Sequence, residues 1–302
     1  MKQRQRGVAL VLVLWVITLL SVIAGNFAFS MRGEAHIARN LLSAAQAQAQ
    51  ADAGVQRAWY ELLKPPTELL RWKGDGTPHE LTIDGGAMRI SIQDESGKID
   101  INTASEPLLR GLFRSIGADE ATAEALADCV QDWRDGNSKL KRLHGAKQDE
   151  YVAAGKNYGP ANAPFTTVDE LLRVLGMTPE MFRQLEPIVT VYTHQAGVNT
   201  VVAPRGALLA IPGVTAELVD QYLELRKNLM ATGQPVPAFV GAGVYASQPA
   251  GPVVNSVRSA ATMSDGTVFV RQAVGRVSPD PKRPVTLLAW GEGESEQFSE
   301  QK

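Results

Sequence analysis

The sequence is poor in the residue patterns that carry chemistry in enzymes. It has one cysteine, Cys129, which excludes an intrachain disulfide framework, and its four histidines are scattered without the spacing of metal ligands. Neither a serine nucleophile elbow nor an HExxH zinc helix is present. The formal net charge is only −2, which argues against binding to a polyanion through bulk positive charge. We therefore predict a protein that is not an enzyme, with Cys129 as a buried structural thiol.

The sequence does have a long apolar run, from Val8 to Ala24, preceded by three cations within the first six residues. As a helix this run spans roughly 26 Å, close to the roughly 30 Å of a bilayer's hydrocarbon core. Positive charge ahead of it favours a cytoplasmic N-terminus, with the rest of the chain exported. Three interpretations of the run are open: a secretory signal cleaved after Ala24, an uncut anchor, and a segment cut after Gly7 so that Val8 becomes the N-terminus.

The residues after the apolar run predict that the same helix continues to about residue 64. No proline occurs between residues 30 and 64, where alanine, leucine, glutamine and arginine are frequent. A mild apolar stripe recurs there at three- and four-residue intervals and includes Ile37, Leu41, Val55 and Leu62. Cleavage of a secretory signal would divide this helix, so the pattern favours the earlier cut.

Strand patterns return on both sides of a helical segment in the rest of the chain. Met88, Ile90 and Ile92 alternate with polar residues and predict a half-exposed strand. β-Branched runs predict further strands at 253–257, 268–277 and 285–290, and helical patterns lie at 108–116, 120–133, 168–175, 179–185 and 218–229. Asp265-Gly266 predicts a hairpin turn. The order predicts a sheet that begins before the helical segment and is completed after it.

A repeat runs through the helical segment. Residues 171–181 align with residues 208–218 and share two leucines at the start followed by a glycine, a threonine and a glutamate at the same spacing; residues 112–119 form a looser copy. The pattern predicts helix hairpins in which a glycine closes one helix and a threonine or aspartate caps the next. Such hairpins also bind DNA phosphates through turn amides. Because cations do not exceed anions around these repeats, we favour packing or protein contact and keep an exported DNA-binding protein as the alternative.

Four short motifs carry a resemblance to a known family. They are DESGKIDINTA at 94–104, DWRD at 132–135, NAPF at 162–165 and LGMT at 175–178. Together with the leader and the long helix, they make the chain resemble the minor pseudopilin K family of type II secretion systems, also called general secretion pathway protein K. The resemblance implies an α+β fold: a pilin-like long N-terminal helix packed on a small antiparallel sheet, with an inserted α-helical domain of helix-hairpin-helix or SAM-like type.

The resemblance also implies a division of the chain. Residues 1–7 would be the prepilin leader and 8–64 the N-terminal helix, of which 8–29 would cross the membrane. Residues 65–100 and 235–290 would form the pilin-like part, 101–234 the inserted helical domain and 291–302 an acidic tail.

The implied function is that of a minor pseudopilin at the pseudopilus tip, which takes part in initiation and in the secretion of folded exoproteins. A prepilin peptidase would cleave after Gly7 and methylate Val8. The implied partners are minor pseudopilins I and J and, through them, the major pseudopilin; no nucleic acid is expected. The chain would pass once through the bacterial inner membrane, with its C-terminal bulk in the periplasm.

Two sets of residues on the N-terminal helix are tied to assembly by this resemblance. Most pilin-like subunits carry a glutamate at the fifth mature position, which neutralises a neighbour's N-terminal amine. Here that position is Leu12, so the subunit supplies no such carboxylate, which suits an end position. The stripe with Ile37, Leu41, Val55 and Leu62 is expected to pack against partner helices.

Members of the family also bind calcium in the polar segment after residue 132, with an acidic pair soon after a Gly-Ala. Asp135, Asn137, Asp149 and Glu150 could supply oxygen ligands to such a hard cation, although their spacing is not that of an EF-hand. Lys147-Gln148 separates Gly145-Ala146 from the acidic pair here. A calcium site and a solvated loop held by Asx turns are therefore both open.

Overall fold

The computed structural model describes residues 8–65, 67–68, 71–83, 85–248, 252–278 and 280–294. A helix, α1 (Val8–Leu63), precedes a five-stranded antiparallel sheet with strand order β1-β2-β5-β6-β7. The sheet strands are β1 (Asp75–Ile83), β2 (Gly86–Asp94), β5 (Val254–Met263), β6 (Val268–Val277) and β7 (Val285–Glu292). The helical part of the chain lies between β2 and β5 in sequence, so the fold is α+β, as predicted.

A helical region, residues 106–231, separates the two halves of the sheet in sequence. Its helices are α2 (Glu106–Ser115), α3 (Glu120–Arg134), α4 (Gln148–Ala153), α5 (Pro179–Leu185), α6 (Arg205–Leu209) and α7 (Ala216–Ala231). Two short strands, β3 (Ile99–Asp100) and β4 (Val189–Thr190), pair in parallel and connect the segment before α2 to the segment between α5 and α6. The predicted helix at 168–175 is a 3-10 helix over Val168–Arg173.

Four of the five strands match the sequence prediction, and β1 does not. β1 begins within Gly74-Asp75-Gly76 and includes Pro78, so its sequence predicts a turn-rich segment. Proline is tolerated in this strand because β1 lies at the edge of the sheet, where one side of its backbone needs no ladder partner. Pairing with β2, at Leu81 opposite Met88, is what makes this segment a strand.

The second half of α1 packs on the sheet through small side chains. Ala47, Ala51 and Ala58 are fully buried, and α1 contacts β2, β5 and β6. Gly54 allows the closest approach, since a Cβ atom there would lie 2.1 Å from Ser259 Oγ. This alanine and glycine face lets the helix axis come close to the strands without leaving a gap.

A partly buried ion pair ties the same helix to the sheet. The Nε of Arg271 on β6 donates to Oδ1 of Asp52 on α1 over 2.5 Å. The Arg271 guanidinium also lies over the rings of Phe269 and Trp290, 4.9 and 5.1 Å from their centroids. These contacts orient the sheet beneath α1.

The predicted hairpins are present in all three copies of the repeat. Gly117, Gly176 and Gly213 each adopt a positive φ, of +91°, +89° and +81°, which closes the preceding turn. The side chains of Asp119, Thr178 and Thr215 each accept a hydrogen bond from a backbone N–H three residues on. The repeated glycine and cap residues therefore set the geometry of the helical region.

Candidate assembly surface

The first half of α1 has a large surface that the described part of the chain leaves uncovered. α1 contains 56 residues, a length of about 84 Å at about 1.5 Å per residue. From Ala9 onward its first buried residue is Ser43. Its most apolar segment of 18 residues has a mean hydropathy of 2.4 and is 0 % buried. Among the described residues, α1 is the one helix that is long and apolar enough to cross a membrane. Because exposed apolar surface of this extent is unfavourable in water, this half requires lipid or partner helices.

The structure divides the predicted assembly stripe into two parts. Ile37 and Leu41 are 61 % and 66 % exposed, so both side chains are available to a partner. Val55 is fully buried and Leu62 is 7 % exposed, in the core that α1 forms with the protein's own sheet. The prediction that Val55 and Leu62 pack against partner helices is therefore wrong, because the chain's own strands already cover these side chains. At Ile37 and Leu41 it stays a prediction.

The predicted processing site lies at the edge of the described chain. Gly7 is outside the described residues, and α1 begins at Val8. Leu12 lies in the uncovered half and is 62 % exposed. The helix continues without a break through Ala24 and Gly25. Cleavage after Gly7 and methylation of Val8 stay predictions.

Two arginines on the hairpin helices, Arg110 and Arg205, face carboxylates. Arg205 forms a two-contact pair with Asp220, with nitrogen–oxygen distances of 2.7 and 3.0 Å. This hydrogen bond to Arg205 holds the pKa of the Asp220 carboxyl below its ordinary value. Arg110 likewise donates to Glu106 and Glu124 over 2.7 and 2.9 Å. A DNA phosphate at these turns would have to compete with carboxylates for the guanidinium groups, which weakens the DNA-binding alternative.

The residues considered for calcium are engaged with other protein groups. Asp135 Oδ1 accepts the N–H of Asn137 over 3.0 Å, and this hydrogen bond is the main cause that lowers the pKa of the Asp135 carboxyl. The other oxygen of Asp135 lies 3.4 Å from Arg142 Nη1. The side-chain oxygen of Asn137 accepts the N–H of Lys139 over 3.1 Å.

In the acidic pair that follows, Glu150 is also engaged with other protein groups. Glu150 accepts Lys141 Nζ on one oxygen at 2.6 Å and the Lys147 N–H on the other at 2.9 Å. Asp149 is exposed in the first turn of α4. Within the described ranges, no group of three or more histidine, cysteine, aspartate or glutamate residues could hold a metal ion. Asp135, Asn137 and Glu150 therefore do not fit a calcium ion, because their oxygens are used by neighbouring amides and cations.

Sequence reasoning missed the buried lysine in this segment. In the sequence, Lys147 only separates Gly145-Ala146 from the acidic pair, yet it is 7 % exposed and its ammonium lies against oxygens of Asp132, Asp135 and Asn162. Its position between Gly145-Ala146 and the acidic pair is the signal that the sequence offers.

Comparison with known proteins gives consistent matches. The sequence model of the family described as type II secretion system (T2SS), protein K, matches residues 89–194. Type II secretion system protein K of Pseudomonas aeruginosa is 27 % identical over 245 residues, which cover 73 % of each chain. The protein of the same name from Klebsiella pneumoniae is 27 % identical over 276 residues, 83 % of this chain and 81 % of its own.

One solved structure has the same fold. It is the crystal structure of the GspK-GspI-GspJ complex from the enterotoxigenic Escherichia coli type 2 secretion system. The match has a TM-score of 0.61 and 15 % identity, and covers 85 % of this chain and 99 % of that one. Most of this fold therefore occurs in a known protein.

Proposed function

We propose that this chain, which is similar in sequence to type II secretion system protein K, acts as a minor pseudopilin at the tip of the pseudopilus. In this role it takes part in starting the filament and in the secretion of folded exoproteins. It passes once through the bacterial inner membrane by the first part of α1, and its C-terminal bulk is periplasmic. Its partners are minor pseudopilins I and J and, through them, the major pseudopilin.

The division of α1 is the observation that carries this proposal. One half is fixed to the chain's own sheet by Ala47, Ala51 and Val55, whereas the other half, with Ile37 and Leu41, has no cover within the described residues. A helix that is anchored at one end and apolar and bare at the other suits insertion first into lipid and then into a bundle of similar helices. The E. coli structure in which the related chain is named together with GspI and GspJ supports those two partners.

Leu12 and the helical region support the end position. An exposed leucine at position 12 offers no carboxylate to a neighbour's amine, so the helix provides no charge pair of the kind that joins successive subunits. The helical region adds bulk beyond the sheet that a plain pilin-like fold lacks. The bulk of the helical region and the absence of a carboxylate at Leu12 both suit a subunit at the end of the filament, beyond which no further subunit is added.

We predict that gold particles directed to a tag on this chain will label pseudopili at one end only. The experiment uses filaments assembled with untagged partner subunits and viewed by electron microscopy. A tag on the major pseudopilin serves as the positive control and should label the whole length. Labelling of this chain at many positions along a filament would contradict the end position.

We further predict that Gly7→Val will leave the leader attached. A branched side chain beside the scissile bond would hinder a peptidase that acts between Gly7 and Val8. Gly25→Val is the matched control, because a Cβ at Gly25 meets nothing within 4 Å and the substitution leaves the earlier bond untouched. Intact mass and N-terminal sequencing of the membrane-purified chains measure the result.

The expected wild-type product begins at a methylated Val8, and the Gly25→Val product begins at the same residue. A wild-type product that begins at Gly25, or a Gly25→Val chain that alone escapes processing, would show that a secretory signal is removed instead.

A further inference from the structure

The segment between α3 and the 3-10 helix Val168–Arg173 is held around a buried ammonium group. Lys147 is the N-cap residue of α4, and its backbone is fixed because its N–H donates to Glu150 and its carbonyl accepts the N–H of Tyr151. Its side chain is 7 % exposed. A lysine is rarely buried to this extent without polar partners, since removing an ammonium group from water is costly.

Three oxygen atoms accept hydrogen bonds from that ammonium group. Lys147 Nζ donates to the carbonyl oxygen of Asp132 over 2.6 Å, to the side-chain oxygen of Asn162 over 3.0 Å and to the carbonyl oxygen of Asp135 over 3.4 Å. An ammonium group has three donors and no acceptor. The three oxygens, which we call the oxygen cage, therefore match its hydrogen-bonding capacity.

The cage is built by the local folding of its members. Asp132 is in the last turn of α3 and Asp135 is its C-cap residue, where backbone carbonyls lack partners within the helix and carry partial negative charge. Asn162 adopts a left-handed backbone conformation, with φ of 48°, which asparagine tolerates. Its amide nitrogen donates to the Pro160 carbonyl over 3.1 Å, which directs the amide oxygen toward Lys147.

The negative charges near the cage are already balanced by another cation. Asp132 is 0 % exposed, and its carboxylate accepts the side chain and the backbone N–H of Arg142 over 2.7 and 3.1 Å. The chain passes so close to this carboxylate at Gly145 that a Cβ there would lie 2.0 Å from Asp132 Oδ2. Lys147 therefore donates to the carbonyl and amide oxygens of the cage, whereas Arg142 and the backbone at Gly145 lie against the Asp132 carboxylate.

We propose that the ammonium of Lys147 is a covalently attached cation that holds this segment together, so that the helical region folds without a bound metal ion. The side chain joins the end of α3, the start of α4 and the turn at Asn162. A hard metal ion would prefer the same kind of ligand, namely carbonyl and amide oxygens. The inference does not rest on the proposed function, because it concerns the folding of the helical region alone.

The first test measures thermal unfolding of the full chain in detergent, with millimolar calcium chloride or with a chelator. We expect the wild-type midpoint to be the same in both, and no saturable heat when calcium is titrated. Lys147→Met keeps the aliphatic stem and leaves the three oxygens without their donor, so its midpoint should fall by about 5 °C or more in either buffer. Lys156→Met is the control, since Lys156 is an exposed lysine nearby, and its midpoint should stay at the wild-type value.

The second test needs no variant and remains valid if Lys147→Met fails to fold. Amine acetylation of the wild-type chain in chelator, followed by mass spectrometry of its peptides, should modify Lys147 about tenfold or more slowly than Lys156, since Lys147 reacts only when the segment opens. Equal rates at the two lysines would overturn the proposal. A calcium-dependent rise of the wild-type midpoint, or equal midpoints for the two methionine variants, would overturn it as well.

Discussion

Gly111→Val is expected to lower the free energy of unfolding of the helical region by at least about 3 kcal/mol. Gly111 lies in the middle of α2, where this helix crosses α6. A Cβ on Gly111 would lie 1.9 Å from the carbonyl oxygen of Ala210 and 2.9 Å from its carbonyl carbon. These are backbone atoms, so no side-chain rotation can relieve the clash, and the two helices must separate.

The sign of this prediction opposes helix propensity. Alanine in a helix interior is favoured over glycine by about 1 kcal/mol, so Gly111→Ala would stabilise an isolated α2. In the folded chain we expect Gly111→Ala to destabilise the region, although by less than the valine. Gly136→Ala is the control in the same region, since its Cβ would meet only the Asn162 carbonyl oxygen, at 3.8 Å.

The single thiol provides the measurement. Cys129 lies on α3, which packs against α2, and burial raises the pKa of its thiol to about 12. At pH 8 the folded chain therefore holds almost no thiolate at this position, and Cys129 reacts with a thiol reagent only when the region opens. The loss of about 3 kcal/mol should speed this reaction by about a hundredfold. A Gly111→Val chain that reacts as slowly as Gly136→Ala would refute the close helix crossing.

The features that the sequence predicts well depend on local chemistry. Gly117, Gly176 and Gly213 reveal the three turns because a positive φ is a local requirement that glycine meets best. The alternation at Met88, Ile90 and Ile92 reveals β2 because residues of one strand face are two apart. Neither conclusion needs knowledge of what the element packs against.

The features that the sequence predicts poorly depend on residues that are distant in the chain. The stripe on α1 has one periodicity throughout, so nothing local tells that Val55 meets the chain's own sheet whereas Leu41 does not. The segment 259–261, Ser-Ala-Ala, has weak strand preference, and β5 extends through it because it pairs on both sides and lies under α1. Lys147 is similar, since its oxygen cage comes from three separate places in the chain.

Paired aspartate substitutions on α1 should separate assembly from folding. Val55→Asp places a carboxylate at a fully buried site, so we expect it to destabilise the chain by at least about 3 kcal/mol. Ile37→Asp/Leu41→Asp changes two exposed side chains that contact no core. Its unfolding midpoint should stay within about 2 °C of wild type.

The exposed pair should instead lose its partners. If Ile37 and Leu41 become buried against the helices of minor pseudopilins I and J, each apolar side chain contributes about 1.5 kcal/mol or more, and the double variant should bind at least about a hundredfold more weakly. Titration of the full chains in detergent, followed by fluorescence anisotropy, measures this affinity. Secretion of the exoproteins should fall in parallel.

A control on the other side of the helix tests whether the effect belongs to the stripe. Ala35 is exposed and lies about 200° around the helix from Ile37 at about 100° per residue. Ala35→Asp adds one carboxylate to the same segment, against two in the stripe variant. Its affinity for the partners should change by less than about threefold, because a single exposed charge contributes little. Equal losses for Ala35→Asp and the stripe variant would show that acidity, rather than the apolar stripe, disturbs assembly. Wild-type affinity in the stripe variant would place the partner surface outside this stripe.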